Sequence, residues 1–234
     1  MTLSSPKASP LQETPPDIPE SIEFSGLKGR FFAWFLTSPM RRLLDFKMGK
    51  PDARVMELLE LEAEHVVLDA GCGSGFHTLL VAEHVERGQV LAVDISQEML
   101  DRLARTAAAR GLESRIVPIR ANGLSLPVKT GGVDRALSVA VWHHLADADG
   151  ASAEGACAEL VRALRPGGRV VVCDLHIEAD KKAIAGLQGH DRAFNQAKLA
   201  QILEKSGLEQ VHVERVGKWV LGAGVKGLKP GVES

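Results

Sequence analysis

The chain has 234 residues, of which 45% are hydrophobic and 25% charged, a balance typical of a globular protein rather than a disordered one. Its net charge of −2 argues against broad electrostatic capture of nucleic acid. No apolar run approaches the roughly 20 residues of a transmembrane segment, and no apolar stretch near the N-terminus predicts a secretory signal. Three scattered cysteines favour neither a disulfide framework nor a cysteine metal site, so we expect a cytoplasmic protein without a bound metal.

The first 60 residues differ in composition from the rest of the chain. Residues 1–20 contain five prolines and no apolar periodicity, which predicts a disordered tail. Residues 26–50 hold six basic residues against one acidic residue, and five of the ten aromatic residues in the chain. Pro39 fits the first turn of the second of two short helices there. A further helix is predicted from Asp52 to about Glu60, which gives an N-terminal helical cap over residues 21–60.

Strand and helix patterns alternate from residue 65 onward. Helical stripes and glycine stops separate five apolar runs, at 66–69, 90–94, 115–119, 133–141 and 169–175. Apolar residues on either side of Gly217 predict a closing β-hairpin. These patterns predict an α/β fold, a doubly wound, Rossmann-like sheet of seven strands with a C-terminal antiparallel hairpin, over residues 61–225. A short tail would follow at 226–234.

A glycine-rich turn, DAGCGSG, follows the first predicted strand from Asp69 to Gly75. Glycine lets a backbone approach a ligand and adopt a positive φ. Asp94 ends the next predicted strand about 20 residues later, where a carboxylate can accept hydrogen bonds from both hydroxyls of a ribose. Two alternatives stay open: the glycines only close the strand–helix junction, and Asp94 only begins the turn before Ser96. Phe76 stands where a dinucleotide site has its third glycine, which disfavours a pyrophosphate cradle.

Four motifs together resemble those of the class I S-adenosylmethionine-dependent methyltransferases. They are VVLDAGCGSGFHT at 66–78, VLAVDISQEM at 90–99, VDRALSVAVWHHL at 133–145 and ELVRALRPGGRVVV at 159–172, in the family's order. The similarity covers residues 60–216 and is nearest to the small-molecule subgroup that includes the ubiquinone and menaquinone biosynthesis enzymes. It implies S-adenosylmethionine as the cofactor and methyl transfer to a small molecule, without naming the acceptor.

The resemblance also implies roles for single residues. The backbone of Gly71, Cys72 and Gly73 would lie along the methionine and ribose part of the cofactor. Asp69 would organise the loop and the amino group of the cofactor, and Asp94 would hold the ribose diol.

Further residues are implied on the adenine side. Ile95 would pack on the adenine, and Ser138 would lie beside the methionine moiety. The family often has an acidic residue a few positions before a Leu-Pro pair, where this chain has Asn122 followed by Gly123. The Asn122 amide oxygen can still accept a hydrogen bond, so the resemblance implies weaker adenine selection rather than loss of binding.

The methyl-transfer chemistry asks little of the protein, because the reactive group belongs to the cofactor. The chain must orient the acceptor, and it needs a base only when the attacking atom arrives protonated. His144, near the end of the fourth predicted strand, is our first candidate for a base or a substrate contact, because histidine titrates near neutrality. It can equally cap the next turn or lie in solvent. His143, Asp174 and His176 lack a metal-ligand spacing, so no metal is expected.

The basic, aromatic segment at 26–50 leaves three alternatives open. It can form a lid that encloses an apolar substrate, or a membrane-surface helix that collects a lipid-soluble one. It can also be a helix simply packed on the sheet.

The function leaves alternatives of its own. We predict methyl transfer to a small, partly apolar metabolite by in-line displacement, with no nucleic-acid partner. One alternative is a protein of this fold that binds the cofactor without catalysis. A protein or RNA methyltransferase is less favoured, because residues 139–142 read VAVW rather than an Asn-Pro-Pro-aromatic motif.

Overall fold

The computed structural model describes residues 9–12, 51–145, 151–176 and 195–228. In these ranges the helices are α1 (Asp52–Leu59), α2 (Phe76–His84), α3 (Gln97–Ala109), α4 (Trp142–Leu145), α5 (Ala151–Ala163) and α6 (Gln196–Lys205). The strands are β1 (Val66–Ala70), β2 (Gln89–Asp94), β3 (Ile116–Arg120), β4 (Val133–Val139), β5 (Leu164–Leu175), β6 (Leu208–Val216) and β7 (Trp219–Lys226).

The seven strands form one sheet in the order β3-β2-β1-β4-β5-β7-β6. Strands β1 to β5 are parallel, and β7 runs antiparallel to both β5 and β6. From β1, the chain adds β2 and β3 on one side and then returns to add β4 and β5 on the other side. At such a reversal of strand order, a crevice opens at the carboxyl ends of the strands, here β1 and β4. The predicted doubly wound, Rossmann-like sheet with a C-terminal antiparallel hairpin is confirmed.

Two boundaries of the five predicted strands differ from the prediction by more than one residue. Strand β5 begins at Leu164 rather than Arg169, because Leu164 pairs with Val133 ahead of a register shift. The Pro-Gly-Gly sequence that predicts a turn is therefore an irregular beginning of the strand. Strand β4 ends at Val139 rather than residue 141, because Ala140 takes a left-handed φ of 58°.

An apolar cluster covers each face of the sheet. Helices α1, α2 and α3 pack on one face, through side chains such as Val55, Leu79 and Leu100. Helices α4, α5 and α6 pack on the other, through Trp142, Leu160 and Leu199. Because both faces of the central strands are covered, those strands read as continuous apolar runs.

Helix α1 reaches from the carboxyl edge of the sheet to its amino edge. Asp52, in its first turn, lies 2.9 Å from His77 Nε2 in the first turn of α2. At its other end, the carbonyls of Leu59 and Glu60 accept hydrogen bonds from Arg135 in β4. The helix predicted from Asp52 is therefore present and packs on the sheet.

The described part of the N-terminal stretch is paired with the chain between β3 and β4. Leu11 forms an antiparallel bridge with Val128, and Gln12 N donates to Pro127 O at 3.1 Å. At these positions the expectation of a disordered tail does not hold. The other expectations for residues 1–8, 13–50 and 229–234 lie outside the described residues.

Candidate active site

The glycine loop leaves strand β1 with three residues in the left-handed region. Gly71, Gly73 and Gly75 have φ values of 81°, 54° and 89°, which L side chains rarely adopt. Gly71 N and Cys72 N both donate to Val93 O, at 2.8 and 2.9 Å. The loop is thereby fixed to strand β2.

Gly71 is required for packing as well as for its φ. A Cβ added there would lie 2.9 Å from Val141 Cγ1 and closer still to Cγ2. Val141 follows Ala140, whose positive φ turns the chain after β4 toward the loop. Gly73 differs, because nothing lies within 4 Å of an added Cβ there.

Asp94 lies beside the glycine loop. Its carboxylate accepts hydrogen bonds from Gly73 N at 2.8 Å and from Ser96 N at 2.9 Å. Burial raises the pKa of Asp94, and the N–H donors of Ser96 and Gly73 oppose that rise. The glycine loop and the end of β2 are thus joined through one carboxylate, between residues that are 21 positions apart in sequence.

Asp69, the other predicted acid, is 2% exposed. It accepts a hydrogen bond from Thr78 Oγ1 at 2.6 Å, a partner that the sequence analysis did not name. Burial raises the pKa of Asp69 to about 6 against an ordinary value of 3.8, although the Thr78 hydroxyl and the nearby His77 lower it. The site thus holds a carboxylate that titrates near neutral pH.

Three more of the residues predicted to bind the cofactor occupy the same edge. Cys72 is buried, and burial raises the pKa of its thiol well above the ordinary value. Ser138 Oγ donates to Ala70 O at 2.9 Å, which joins β4 to the start of the loop. Ile95 is half-buried and directly follows Asp94.

Asn122 and Gly123 lie in a turn after strand β3. Ala121 N donates to Asp94 O at 3.0 Å, which holds the start of this turn beside β2. The Asn122 side-chain oxygen accepts from Leu124 N at 2.9 Å and so shapes the turn. Because an amide oxygen has two lone pairs, it can accept a second hydrogen bond.

A buried histidine–aspartate pair lies at the ends of β4 and β5. Asp174 Oδ1 is 2.7 Å from His143 Nδ1, and Asp174 Oδ2 accepts from His143 N at 3.1 Å. The sequence analysis named both residues without pairing them, although the adjacent carboxyl ends of parallel strands were the signal for it. His144 lies in helix α4, and its side chain is outside what the structure describes.

Across the described ranges, no group of three or more His, Cys, Asp or Glu side chains is arranged to hold a metal ion. Those ranges also contain no helix with the length and apolarity to cross a membrane.

Known proteins are similar to this chain in sequence and in fold. Residues 67–168 match a family described as a methyltransferase domain. The chain is 27% identical over 173 residues to methyltransferase GfsG of Streptomyces halstedii, which covers 70% of this chain and 60% of that protein. It is 34% identical over 136 residues to demethylmenaquinone methyltransferase of Thermus thermophilus, which covers 58% of this chain and 59% of that protein. The chain thus spans about three fifths of the length of these relatives.

The fold is also found in solved structures. The crystal structure of a SAM-dependent methyltransferase from Aquifex aeolicus matches 84% of this chain and 97% of its own, with a TM-score of 0.66 and 22% identity. Together with the glycine loop and the acid after β2, these similarities show that residues 67–168 form a methyltransferase domain with the fold of S-adenosylmethionine-dependent methyltransferases, and they support S-adenosylmethionine as the cofactor.

Proposed function

We propose that this chain transfers a methyl group from S-adenosylmethionine to a small, partly apolar metabolite by in-line displacement. The observation that carries the proposal is the 2.8 Å hydrogen bond from Gly73 N to Asp94. It puts backbone donors and a carboxylate acceptor side by side at the switch point of the sheet, where open α/β sheets bind ligands.

The charges at this edge suit a cationic cofactor. The described partners of Asp69 and Asp94 are hydroxyl and backbone N–H donors rather than Lys or Arg side chains. A ligand with positive charge would therefore stabilise both ionised carboxylates. When bound, S-adenosylmethionine supplies an electrophilic methyl group on a sulfonium.

In the proposed site, each residue keeps the role that the resemblance implies. Asp69 orders the loop and holds the amino group of the cofactor, and Asp94 holds the ribose diol. The backbone of residues 71–73 lies along the methionine and ribose, and the open space beside Gly73 supports such an approach. Ser138 lies near the methionine moiety, whereas Ile95, Asn122 and Gly123 border the adenine.

The proposed base is His144, for acceptors that arrive protonated. The backbone that carries it is held at the sheet, because Asp174 binds both His143 N and His143 Nδ1. A general base must lie within hydrogen-bond distance of the proton that it takes, and only then does its pKa matter. A fixed backbone beside His144 is consistent with that requirement. We expect His144→Ala to lower turnover of a hydroxyl acceptor while cofactor affinity stays within about twofold of the parent.

Two observations support a small, partly apolar acceptor. The relative at 34% identity is named a demethylmenaquinone methyltransferase, which is a small-molecule enzyme by its name. The five aromatic residues at 26–50 are the second support, through the predicted lid or membrane-surface contact. The three free, buried cysteines support the expected reducing, cytoplasmic setting.

The test couples binding to turnover. Titration calorimetry with S-adenosylmethionine and with a nicotinamide dinucleotide measures which nucleotide the crevice takes. Release of S-adenosylhomocysteine is then followed over a panel of quinols, phenols, isoprenoids and transfer RNA. We expect binding of S-adenosylmethionine and turnover on an apolar small molecule. Binding without turnover on any acceptor supports the non-catalytic alternative, turnover on RNA alone contradicts the substrate class, and a preference for the dinucleotide overturns the proposal.

A further inference from the structure

Residues 126–129 lie between strands β3 and β4 and outside the sheet. Its backbone groups are nevertheless paired. Leu126 N and Leu126 O bond to side chains of α5, whereas Pro127 O and Lys129 N bond to the backbone of residues 10–12. The segment is therefore held from two sides without belonging to the sheet.

On the α5 side, the holding groups are one carboxylate and one guanidinium. Glu159 Oε2 accepts from Leu126 N at 2.8 Å. Arg162 Nη2 donates to Leu126 O at 3.0 Å, and Arg162 Nη1 donates to Val128 O at 2.6 Å. The planar fork of an arginine can donate to two nearby carbonyls at once.

The two side chains also hold each other. Arg162 Nε lies 2.7 Å from Glu159 Oε1, and Nη2 lies 2.9 Å from Oε2. Burial would raise the pKa of Glu159, but the hydrogen bonds from Arg162 and from Leu126 N lower it below its ordinary value. Both side chains are about three-quarters buried, at 28% and 21% exposure, so the pair is screened less than a surface ion pair.

This pair lies directly behind the turn that carries Asn122 and Gly123. Only Leu124 and Ser125 separate that turn from Leu126, and Ser125 N donates to Asn122 O at 3.0 Å. The turn is fixed on its other side by the bond from Ala121 N to Asp94 O. Its position relative to β2 therefore depends on where Leu126 is held.

We propose that Glu159 and Arg162 are positioning residues for the adenine side of the cofactor site. They set the affinity and the base selectivity for the cofactor through Leu126 and Val128, without touching the cofactor. This inference rests on the proposed site, in which Asn122 and Gly123 border the adenine.

The experiment compares two ligands on each protein. S-adenosylhomocysteine and its 6-oxo analogue, S-inosylhomocysteine, differ at position 6, where the amino donor becomes a carbonyl acceptor, and at N1, which changes from an acceptor to an N–H donor. Titration calorimetry gives both dissociation constants for the parent and for Arg162→Gln, Arg162→Lys and Glu159→Gln. We expect Arg162→Gln to weaken binding of S-adenosylhomocysteine by about tenfold and to bring the ratio of the two constants close to one.

The variants are chosen so that loss of folding does not decide the result. Arg162→Lys keeps the charge beside Glu159 but cannot bond both carbonyls, so we expect about a threefold loss and a reduced ratio. The ratio is measured on the same protein sample, so it does not depend on the folded fraction. Arg87→Gln is the matched control, because Arg87 pairs with Glu64 at the amino edge, and we expect its ratio to equal that of the parent.

The outcomes separate the inference from the function. Parent-like affinity and ratio in all three variants would overturn the positioning role. A parent that binds S-adenosylhomocysteine but does not distinguish the two bases overturns the selectivity claim and leaves the cofactor assignment standing. A parent that binds neither ligand refutes the proposed function itself.

Discussion

The two edges of the sheet treat charge in opposite ways. At the carboxyl edge, the described partners of the acids Asp69 and Asp94 are neutral donors. At the amino edge, Arg165 lies 2.8 Å from Asp134, and Arg169 lies 3.0 Å from Glu60. One edge is left with negative charge that lacks a described Lys or Arg partner, and the other pairs its charges within the chain.

Arg135 is an exception at the amino edge, because its described partners are backbone carbonyls rather than carboxylates. This buried side chain donates to Leu59 O at 2.7 Å, Asp134 O at 3.0 Å and Glu60 O at 3.2 Å. Burial lowers the pKa of Arg135, just as it raises the pKa of Asp69. Hydrogen bonds and ion pairs within the chain at the amino edge maintain the fold. The acids at the carboxyl edge, which have no described Lys or Arg partner, support the proposed binding of a cationic ligand there.

The largest expected effect is at the carboxyl edge, from Gly71→Ala. The new Cβ would overlap Val141, and the residue keeps a φ of 81° that alanine disfavours. We expect a loss of about 3 kcal/mol in the free energy of unfolding, together with loss of cofactor binding. Urea denaturation and titration calorimetry measure the two effects. Gly73→Ala is the control, because it has open space at a φ of 54°, and we expect about 1 kcal/mol there. Equal losses in the two variants would contradict the packing role of Val141.

Arg135→Met should separate the two edges. It leaves three carbonyls without their donor, so we expect the free energy of unfolding to fall by about 2–3 kcal/mol. Because the change lies at the amino edge, cofactor affinity should stay within about twofold of the parent. Arg87→Met, at an exposed ion pair with Glu64, should leave the free energy of unfolding close to that of the parent. Cofactor affinity reduced by tenfold in Arg135→Met would show that the edges are coupled.

Asp94→Ala tests the carboxyl edge by binding rather than by stability. Loss of charge-assisted hydrogen bonds to the ribose should weaken S-adenosylmethionine binding by about 10–100-fold. Asp94→Asn keeps an acceptor for Gly73 N and should lose less. Calorimetric affinity within twofold of the parent for the alanine variant would remove Asp94 from the site.

The pH dependence of cofactor affinity is expected to be the smallest of these effects near neutral pH. Ionised Asp69 favours a cationic cofactor, so affinity should be constant above pH 6 and fall about tenfold per pH unit below it, since its pKa is about 6. Asp69→Asn should bind weakly at every pH and lose this dependence. An unchanged parental affinity between pH 7 and pH 5 would show that Asp69 does not ionise in the site.

The stability of the free protein should change with the opposite sign. The pKa of Asp69 is raised on folding from 3.8 to about 6, so the folded state binds more protons in that interval and becomes less stable as pH rises through it. Ionised Asp69 thus costs roughly 3 kcal/mol at neutral pH. Asp69→Asn should therefore unfold at a higher temperature than the parent at pH 7, as calorimetry of the free protein would show.

Local signals in the sequence predict the fold well. Ser96 accepts from Met99 N at 3.4 Å and Asn195 accepts from Lys198 N at 2.8 Å, so a residue type that favours helix N-caps begins each of these helices. Helix caps and strand patterns depend on a few neighbouring residues, so residue type and hydrophobic periodicity are enough to predict them. The glycine loop and Asp94 belong to the same class of signal, because each lies where a predicted strand ends.

Contacts between distant parts of the chain are what the sequence leaves open. No local pattern in the sequence predicts that Leu11 pairs with Val128. The same holds for the contact between His143 and Asp174, which are 31 residues apart. The start of β5 at Leu164 depends on Val133 in another strand rather than on its own Pro-Gly-Gly sequence. Such contacts follow from the relative placement of elements, which the sequence pattern alone does not give.

The space that Gly71 leaves empty is filled by Val141. Position 71 can gain a side chain only if residue 141 becomes smaller, and glycine at 71 leaves no side chain to remove if residue 141 becomes larger. We therefore expect substitutions at the two positions to be coupled among related proteins. A change to a smaller residue at 141 would precede or accompany any substitution of Gly71. The evolutionary freedom of a cofactor loop is here limited by a residue from a different strand.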